Sequence, residues 1–557
     1  MIKYYTLTLL VLLVLNNKIL GQWNQNPSLS TPVSVFSAGQ KELHCVVDGK
    51  GGIIITWEDN RNNNGNSTDI YAQRLDQSGI PKWTSNGIVV CNNIAKQKNT
   101  SIVASSDGSA IITWEDDRAG NTDIYAQKID STGNPLWATN GVVICNKATT
   151  QNNPKVVSDN AGGAIIVWED SANFYYDIYA QRINNLGVIQ WTNNGVAICT
   201  SVNQQINPKI EEDGAGGAII TWQDRRNSND YNIYAQRVDS NGQNLWTANG
   251  VVVCNALNTQ NNPRIEPDGA NGAYISWVDK RNGIDYDVYL QHINSNGTST
   301  WTNNGVVVCN ATGNQSGVDM KYLGTNGILI SWKDSRLGLN SQIYYQLITT
   351  QGSPVVAQNG VQLSSGIKAA NTNAILSANG EGVVVWQDSI SLTGWDIMAQ
   401  KISANGTILW SAGGNIVCNA PNDQVNASNV SDNNGGAIFA WEDYRNNSDY
   451  DIYANRIEDN STGVSILQID DANAARCFPN PVNSSTQYFT IISAYRTNSV
   501  IEIYNSIGKL IFESNTNNNG ELLYSTESLS NGLYFVRLNH IEKNKNILEH
   551  INFVVNK

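Results

Sequence analysis

The 557-residue sequence has only three methionines and four histidines, and its eight cysteines include no Cys-x-x-Cys pair. Scarce histidine leaves little for general-base chemistry, and without close cysteine pairs there is no zinc-type ligand spacing. Gly-x-Ser-x-Gly, His-Glu-x-x-His and phosphate-loop patterns are all missing, so the common sequence marks of hydrolases, metalloproteases and nucleotide-binding enzymes are absent. Positive charge is also short. Lys and Arg total 35 against 48 Asp and Glu, a formal net charge of −13. Such a surface repels phosphate backbones and anionic headgroups, which disfavours nucleic-acid binding. After the first 21 residues no apolar run approaches the roughly 18 residues a membrane helix needs. Those first residues combine Lys3, an apolar run from Leu7 to Leu15 and a small residue at Gly21. The run is too short to span a bilayer and reads as a secretory signal peptide, leaving no transmembrane segment once cleaved.

Asn, Gly, Thr, Trp and Tyr are abundant. These turn formers and β formers point to an all-β protein. Trp57, Trp114, Trp168, Trp222, Trp277, Trp332, Trp386 and Trp441 each follow an apolar run and precede x-Asp, at intervals of 54 to 57 residues. Eight units at one period mean a repeat architecture. Within the third unit, 153–159, 163–170, 176–183 and 188–199 read as strands, the last with a bulge at Gly195. Four strands per unit fit a blade of a β-propeller; a β-helix needs shorter coils and sandwich domains need longer repeats. The unit around Trp441 lacks a closing strand. The half unit at 22–36, with Trp23 and Val33 to Phe36, matches the missing strand. It is expected to complete the ring and remove two exposed edges, with 463–467 as an alternative or additional closure.

Six units add an Arg two residues after the Asp (Arg61, Arg118, Arg226, Arg281, Arg336, Arg445), and six open the next strand with Asp69, Asp123, Asp177, Asp287, Asp396 or Asp451. A carboxylate ring invites a calcium or glycan reading, but a carboxylate repeated in every blade is better explained by a turn that each blade repeats. Cys91, Cys145, Cys199, Cys254, Cys309 and Cys418 share one strand position, taken by Phe36 and Ser364 in the other two units. Packed sheets lie about 10 Å apart, beyond the roughly 7 Å Cα separation a disulfide allows. These cysteines are expected to be small buried hydrophobes, neither bridged nor metal-bound.

Broken symmetry marks a candidate ligand site. Two loops after Trp-x-Asp lose the Arg. One carries Phe174, Tyr175 and Tyr176, and the other places Trp395 before its Asp. Aromatic faces beside carboxylates and amides suit stacking on sugar rings, although Tyr231, Tyr286 and Tyr450 occupy the Trp395 position elsewhere and give that ring a packing explanation.

The repeat resembles the β-propeller repeats of secreted bacterial proteins. The turn at 130–137 is similar to the Trp-docking motif of quinoprotein propellers, one residue shorter. This supports a Trp packed between blades and gives no ground for a quinone; no cofactor, metal ligand set or catalytic residue is expected. From Cys477 the text changes. Pro479, Asn480 and Pro481, then Tyr504 with Gly508, then Gly532 and Tyr534 resemble the type A C-terminal sorting domain of the type IX secretion system of Bacteroidetes. That resemblance implies a small β-sandwich, recognition by the translocon and sorting machinery, and a secreted or outer-membrane-attached protein. The expected division is a signal peptide (1–21), an eight-bladed propeller (22–460), a linker (461–476) and the sorting domain (477–557). The reading is a surface-binding or adhesion protein for a glycan or protein. The alternatives are a polysaccharide-active enzyme on the same scaffold or a structural matrix component.

Overall fold

A computed structural model describes residues 23–459, apart from 25 and short loop stretches (63–66, 106, 172–174, 228–229, 339, 391–393), and most of the strands with some adjoining residues in 476–556. The expected signal peptide, Phe174, the alternative closing segment at 463–467, and Pro479, Asn480, Pro481 and Gly508 lie outside the described residues. The chain divides into two compact units, Met1–Gly463 and Val464–Lys557.

The first unit holds eight four-stranded antiparallel sheets. They are numbered here as blades 1 to 8 by the Trp of each Trp-x-Asp. In blade 3 the strands are Gln151–Ser158, Ala164–Asp170, Asp177–Ile183 and Val196–Cys199, hydrogen-bonded in that order. Ala164–Asp170 is buried along its length, as an apolar run covered on both faces must be. The fourth strand is shorter than expected. Asn194 and Gly195 take φ of 64° and 87°, so the chain makes a tight turn and not a bulge. A Cβ on Gly195 would sit 2.5 Å from the Trp168 ring, which is why glycine stands there.

The first strands of successive blades lie side by side, and that of blade 1 also meets that of blade 8. The ring is therefore closed, and these strands line a central channel. Thr31–Ser34 pairs with Asp451–Ile457 and completes blade 8, so the N-terminal segment supplies the missing strand. The Trp23 indole N–H donates to the Gln77 carbonyl at 2.9 Å, as Trp137 does to Asn185 at 3.0 Å. One expectation needs correction. Ser34 pairs with Ile452 as Cys91 pairs with Ile70, so Ser34 and not Phe36 takes the cysteine position. A 3-10 turn at Pro27–Leu29 lies between Trp23 and the strand and shifts the register. Phe36 instead lies beyond the strand, with its ring 4.8 Å from the Arg61 guanidinium.

In the second unit, Arg476–Phe478, Tyr488–Ile492 and Glu521–Ser525 form one sheet. Val482–Asn483, Lys545–Asn556, Gly532–Glu542, Val500–Asn505 and Leu510–Asn515 form another. Ile491 of the first packs with Ile501, Ile503, Val536 and Leu538 of the second, which makes a β-sandwich. Tyr504 lies in the strand Val500–Asn505 and Gly532 begins Gly532–Glu542. Tyr534 is buried, its hydroxyl donating to the Ser530 carbonyl at 2.8 Å.

Candidate functional site: the Trp-x-Asp face and the central channel

In the six blades that carry the Arg, the repeated Asp is held by its own protein. In blade 1 the Asp59 carboxylate accepts from the Trp57 indole at 2.7 Å and from Arg61 at 2.8 and 2.6 Å. The Arg61 guanidinium lies 3.9 Å from the Tyr71 ring centre. Around the ring the same Arg reaches the preceding blade's cysteine, as Arg118 does to Cys91 Sγ at 3.1 Å. A carboxylate saturated this way stiffens a seam and has no lone pair directed at a ligand. The seven propeller cysteines are unpaired, and burial pushes the Cys91 thiol up to about 12.

Blades 3 and 7, which lack the Arg, compensate differently. Lys147 lies 3.0 Å from Asp170 and 3.6 Å from the Tyr179 ring centre, standing in for the guanidinium. Asp388 accepts from the Trp386 indole at 3.0 Å and from the Gly366 N–H at 3.4 Å. Of the sequence-predicted aromatics, Tyr175 is half exposed. The Tyr176 hydroxyl accepts from Asn152 at 3.0 Å. Trp395 lies under Lys368, 4.8 Å from Nζ to the ring centre, as Tyr231 lies under Arg225 and Tyr286 under Lys280. Blades 3 and 7 are opposite in the ring, so these aromatics mark two separate points on one face.

The middle residue of Trp-x-Asp is a feature the sequence reading passed over. The Glu58 carboxylate accepts from the backbone N–H of Asn99 in the next blade at 2.7 Å. Glu115 does so from Asn153, Glu169 from Asn207, Gln223 from Asn262, Gln387 from Asn426 and Glu442 from Glu42. Each donating residue has positive φ, such as 53° at Asn99, and sits at a register shift in the innermost strand. This β-bulge turns its N–H toward the neighbouring blade. Burial raises Glu58 to about 6 and Glu442 to about 7. Val278 and Lys333 interrupt the clasp in blades 5 and 6. There the channel carboxylates take over: Glu266 accepts from the Tyr322 N–H at 3.3 Å and Asp319 from the Ala374 N–H at 2.8 Å.

Below the bulges the channel wall loses its symmetry. On blades 3 to 6 it presents Lys155, Lys209, Arg264 and Asp319, then Glu211, Glu266 and Lys321; on the other blades the same rows carry residues such as Ser101, Ser428, Val46 and Ile375. Lys321 pairs with Glu266 at 2.9 Å and Arg264 with Asp319 at 3.4 Å. Burial, reinforced by Glu266, raises Glu211 to about 8. His44 of blade 1 is open to solvent yet enclosed by protein. The surrounding protein, with Lys155 and Lys209 facing it, holds it below the ordinary imidazole value. This combination places all three on one water-accessible channel.

The seams hide a second pattern. Where Asn232 meets Gln260, the asparagine amide donates to Gln260 Oε1 at 3.4 Å. At six other seams the equivalent residue is Asp, and there Oε1 of Gln40, Gln97, Gln151, Gln205, Gln315 or Gln424 is buried with no donor among the described residues. Burial raises Asp123, Asp177, Asp287 and Asp451 to about 6. On the opposite face, His292 bonds Asp268 and the Thr300 hydroxyl, both at 2.8 Å. The chain resembles a nucleophile–base–acid relay, but His292 occupies the place from which Arg237 pairs with Asp213 in blade 4 and is part of the same structural pair.

Residues 476–551 match the family model of the secretion system C-terminal sorting domain. The second unit is therefore a type IX sorting domain that engages that secretion machinery, and the protein is secreted or held at the outer-membrane surface. No curated protein is significantly similar in sequence. Among solved structures, similarity extends to PorZ, a surface component of the type IX secretion system of Porphyromonas gingivalis (10% identity, 94% of this chain and 82% of that one, TM-score 0.29). It extends also to the BP39L lectin of Burkholderia pseudomallei (9%, 69% and 100%, TM-score 0.42) and an α-L-arabinanase of Penicillium chrysogenum (13%, 58% and 97%, TM-score 0.33).

Proposed function

We propose that the propeller is a binding module that recognises a glycan or a protein surface at its Trp-x-Asp face, carried to the cell exterior by the sorting domain. The supporting observation is the composition of that face. Half-buried aromatic rings (Tyr176, Tyr231, Tyr286, Trp395, Tyr450) recur around it, with Tyr175 half exposed among them. Rings presented this way stack on the apolar faces of sugars and on apolar protein surface.

A polysaccharide-cleaving reading draws on Glu211, Glu266 and Asp319, three carboxylates in the channel. It is the weaker of the two. Glu266 is tied to Lys321 and the Tyr322 N–H, and Asp319 to Arg264, Asn373 and the Ala374 N–H. Both do the seam-clasping that their blades otherwise lack.

A glycan array probed with the mature full-length chain tests the binding reading. A Tyr175→Ala/Trp395→Ala variant with unchanged melting temperature should lose at least about tenfold in affinity for any retained glycan, as expected for removing stacked rings. Unchanged binding would sink this face as the site. Release of reducing ends from a retained polysaccharide would favour the enzyme.

A further inference from the structure

The channel holds two charges that the fold does not explain. Lys155 and Lys209 stand at the same register in adjacent first strands. Lys155 Nζ donates to the Pro154 carbonyl at 3.0 Å and Lys209 Nζ to Asn207 Oδ1 at 2.9 Å. Neither has a carboxylate within ion-pair distance among the described residues, whereas every other channel cation does. The groups that face them come from several blades: Arg264, whose charge adds to theirs, Glu115 and Glu169 from the clasp above, Asp319 already paired to Arg264, and His44 across the channel. Burial is the first cause that lowers Lys155 to about 8; it also holds Lys209 well below the ordinary lysine value, with Arg264 and Lys155 adding repulsion. Both side chains are half-buried on the channel wall, so neighbouring like charges with no counter-charge repel, and an anion seated between them would relieve that repulsion.

We infer that Lys155 and Lys209, flanked by Arg264, form an oxyanion-binding site in the central channel, for the carboxylate of an acidic sugar or a free inorganic oxyanion. The shared chemistry is a group with several acceptor oxygens and one or two negative charges, held by charge-assisted hydrogen bonds from two ammonium groups. Glu169 does not compete for this role, because it accepts from the Asn153 side chain and the Asn207 N–H. The site is distinct from the aromatic face and does not depend on what that face binds.

The test is isothermal titration calorimetry on the mature full-length chain with sodium sulfate, sodium glucuronate and, as neutral control, glucose. Titrations at pH 8 use buffers of different ionisation enthalpy. An anion that restores the lysine charge draws protons from solution, so binding at pH 8 should be accompanied by net proton uptake that is smaller at pH 6, where Lys155 is already charged. Lys155→Met/Lys209→Met should weaken anion binding at least tenfold while leaving the melting temperature equal or higher. Tyr175→Ala/Trp395→Ala should leave it unchanged. Glucuronate binding marks a carboxylate ligand, and sulfate binding alone a free inorganic anion. Absence of saturable binding by either anion at low millimolar concentration, or binding without proton uptake, would overturn the site. If the double variant fails to fold, the proton uptake of the wild type at the two pH values still decides.

Discussion

Asp123 and Gln151 stand across the seam between blades 2 and 3 at the positions where Asn232 and Gln260 share a hydrogen bond. Burial disfavours the ionised Asp123, so the folded state favours the protonated acid, which can donate where the carboxylate would only set a second acceptor against an amide oxygen. Its pKa of about 6 lies above the ordinary 3.8. The folded chain thus binds the extra proton between those values, and this contribution to stability is complete below about pH 4 and lost as pH rises through 6. Asp123→Asn supplies a permanent donor. It should raise stability at pH 7–8 by on the order of 1–2 kcal/mol and leave it nearly unchanged at pH 4. Chemical denaturation at the two pH values measures this, and a variant equally or less stable at pH 8 would show that the seam donor comes from elsewhere. The recurring Asp was visible in the sequence, but its partner lies in the next repeat. Two acceptors are recognised as facing each other only once blades are stacked. The same holds for Lys155 and Lys209, which are ordinary surface residues until the innermost strands close on an axis.

At the scale of the strand, the closure of blade 8 depends on a segment far from it in sequence. Trp23 and Val33 are buried with Ile452 and Ala454 in one cluster, and Arg445 donates to the Ser28 carbonyl at 3.2 Å. Deleting residues 23–34 exposes the edge of Asp451–Ile457 and removes one wall of that cluster. The melting temperature should fall on the order of 5–10 °C, with increased self-association through the open edge. Differential scanning calorimetry and light scattering check both, and an unaltered melting temperature would mean the strand adds little to closure. This element was legible because Trp23 repeats the Trp that begins six of the other seven closing segments. Its register was not, because a three-residue turn at Pro27–Leu29 has no counterpart in the other repeats. The bulges at Asn99, Asn153 and their equivalents were missed for a different reason. The run "QNNP" (151–154) reads as ordinary strand or turn, and positive φ shows itself only through the N–H it turns toward the clasping Glu.

At the scale of the whole chain, the propeller closes on itself. Its last sheet is completed by its own N-terminal strand, and each blade packs its Trp-x-Asp hub internally, as at Asp59. The sorting domain has a separate core of Ile491, Ile501, Ile503, Tyr534, Val536 and Leu538. Two cores in two compact units should fold independently, so sorting domain and propeller should be separable. A chain ending at Gly463 should keep the β circular-dichroism spectrum of its propeller and melt within about 3 °C of the propeller transition in the full chain. It should also fail to reach the cell exterior and accumulate in the periplasm, because the segment that matches the sorting family is gone. Fractionation followed by immunoblotting reads the destination and calorimetry reads the fold. Normal display of the truncated chain would show that the propeller carries its own export signal, and loss of the propeller transition would show that the two cores are not independent.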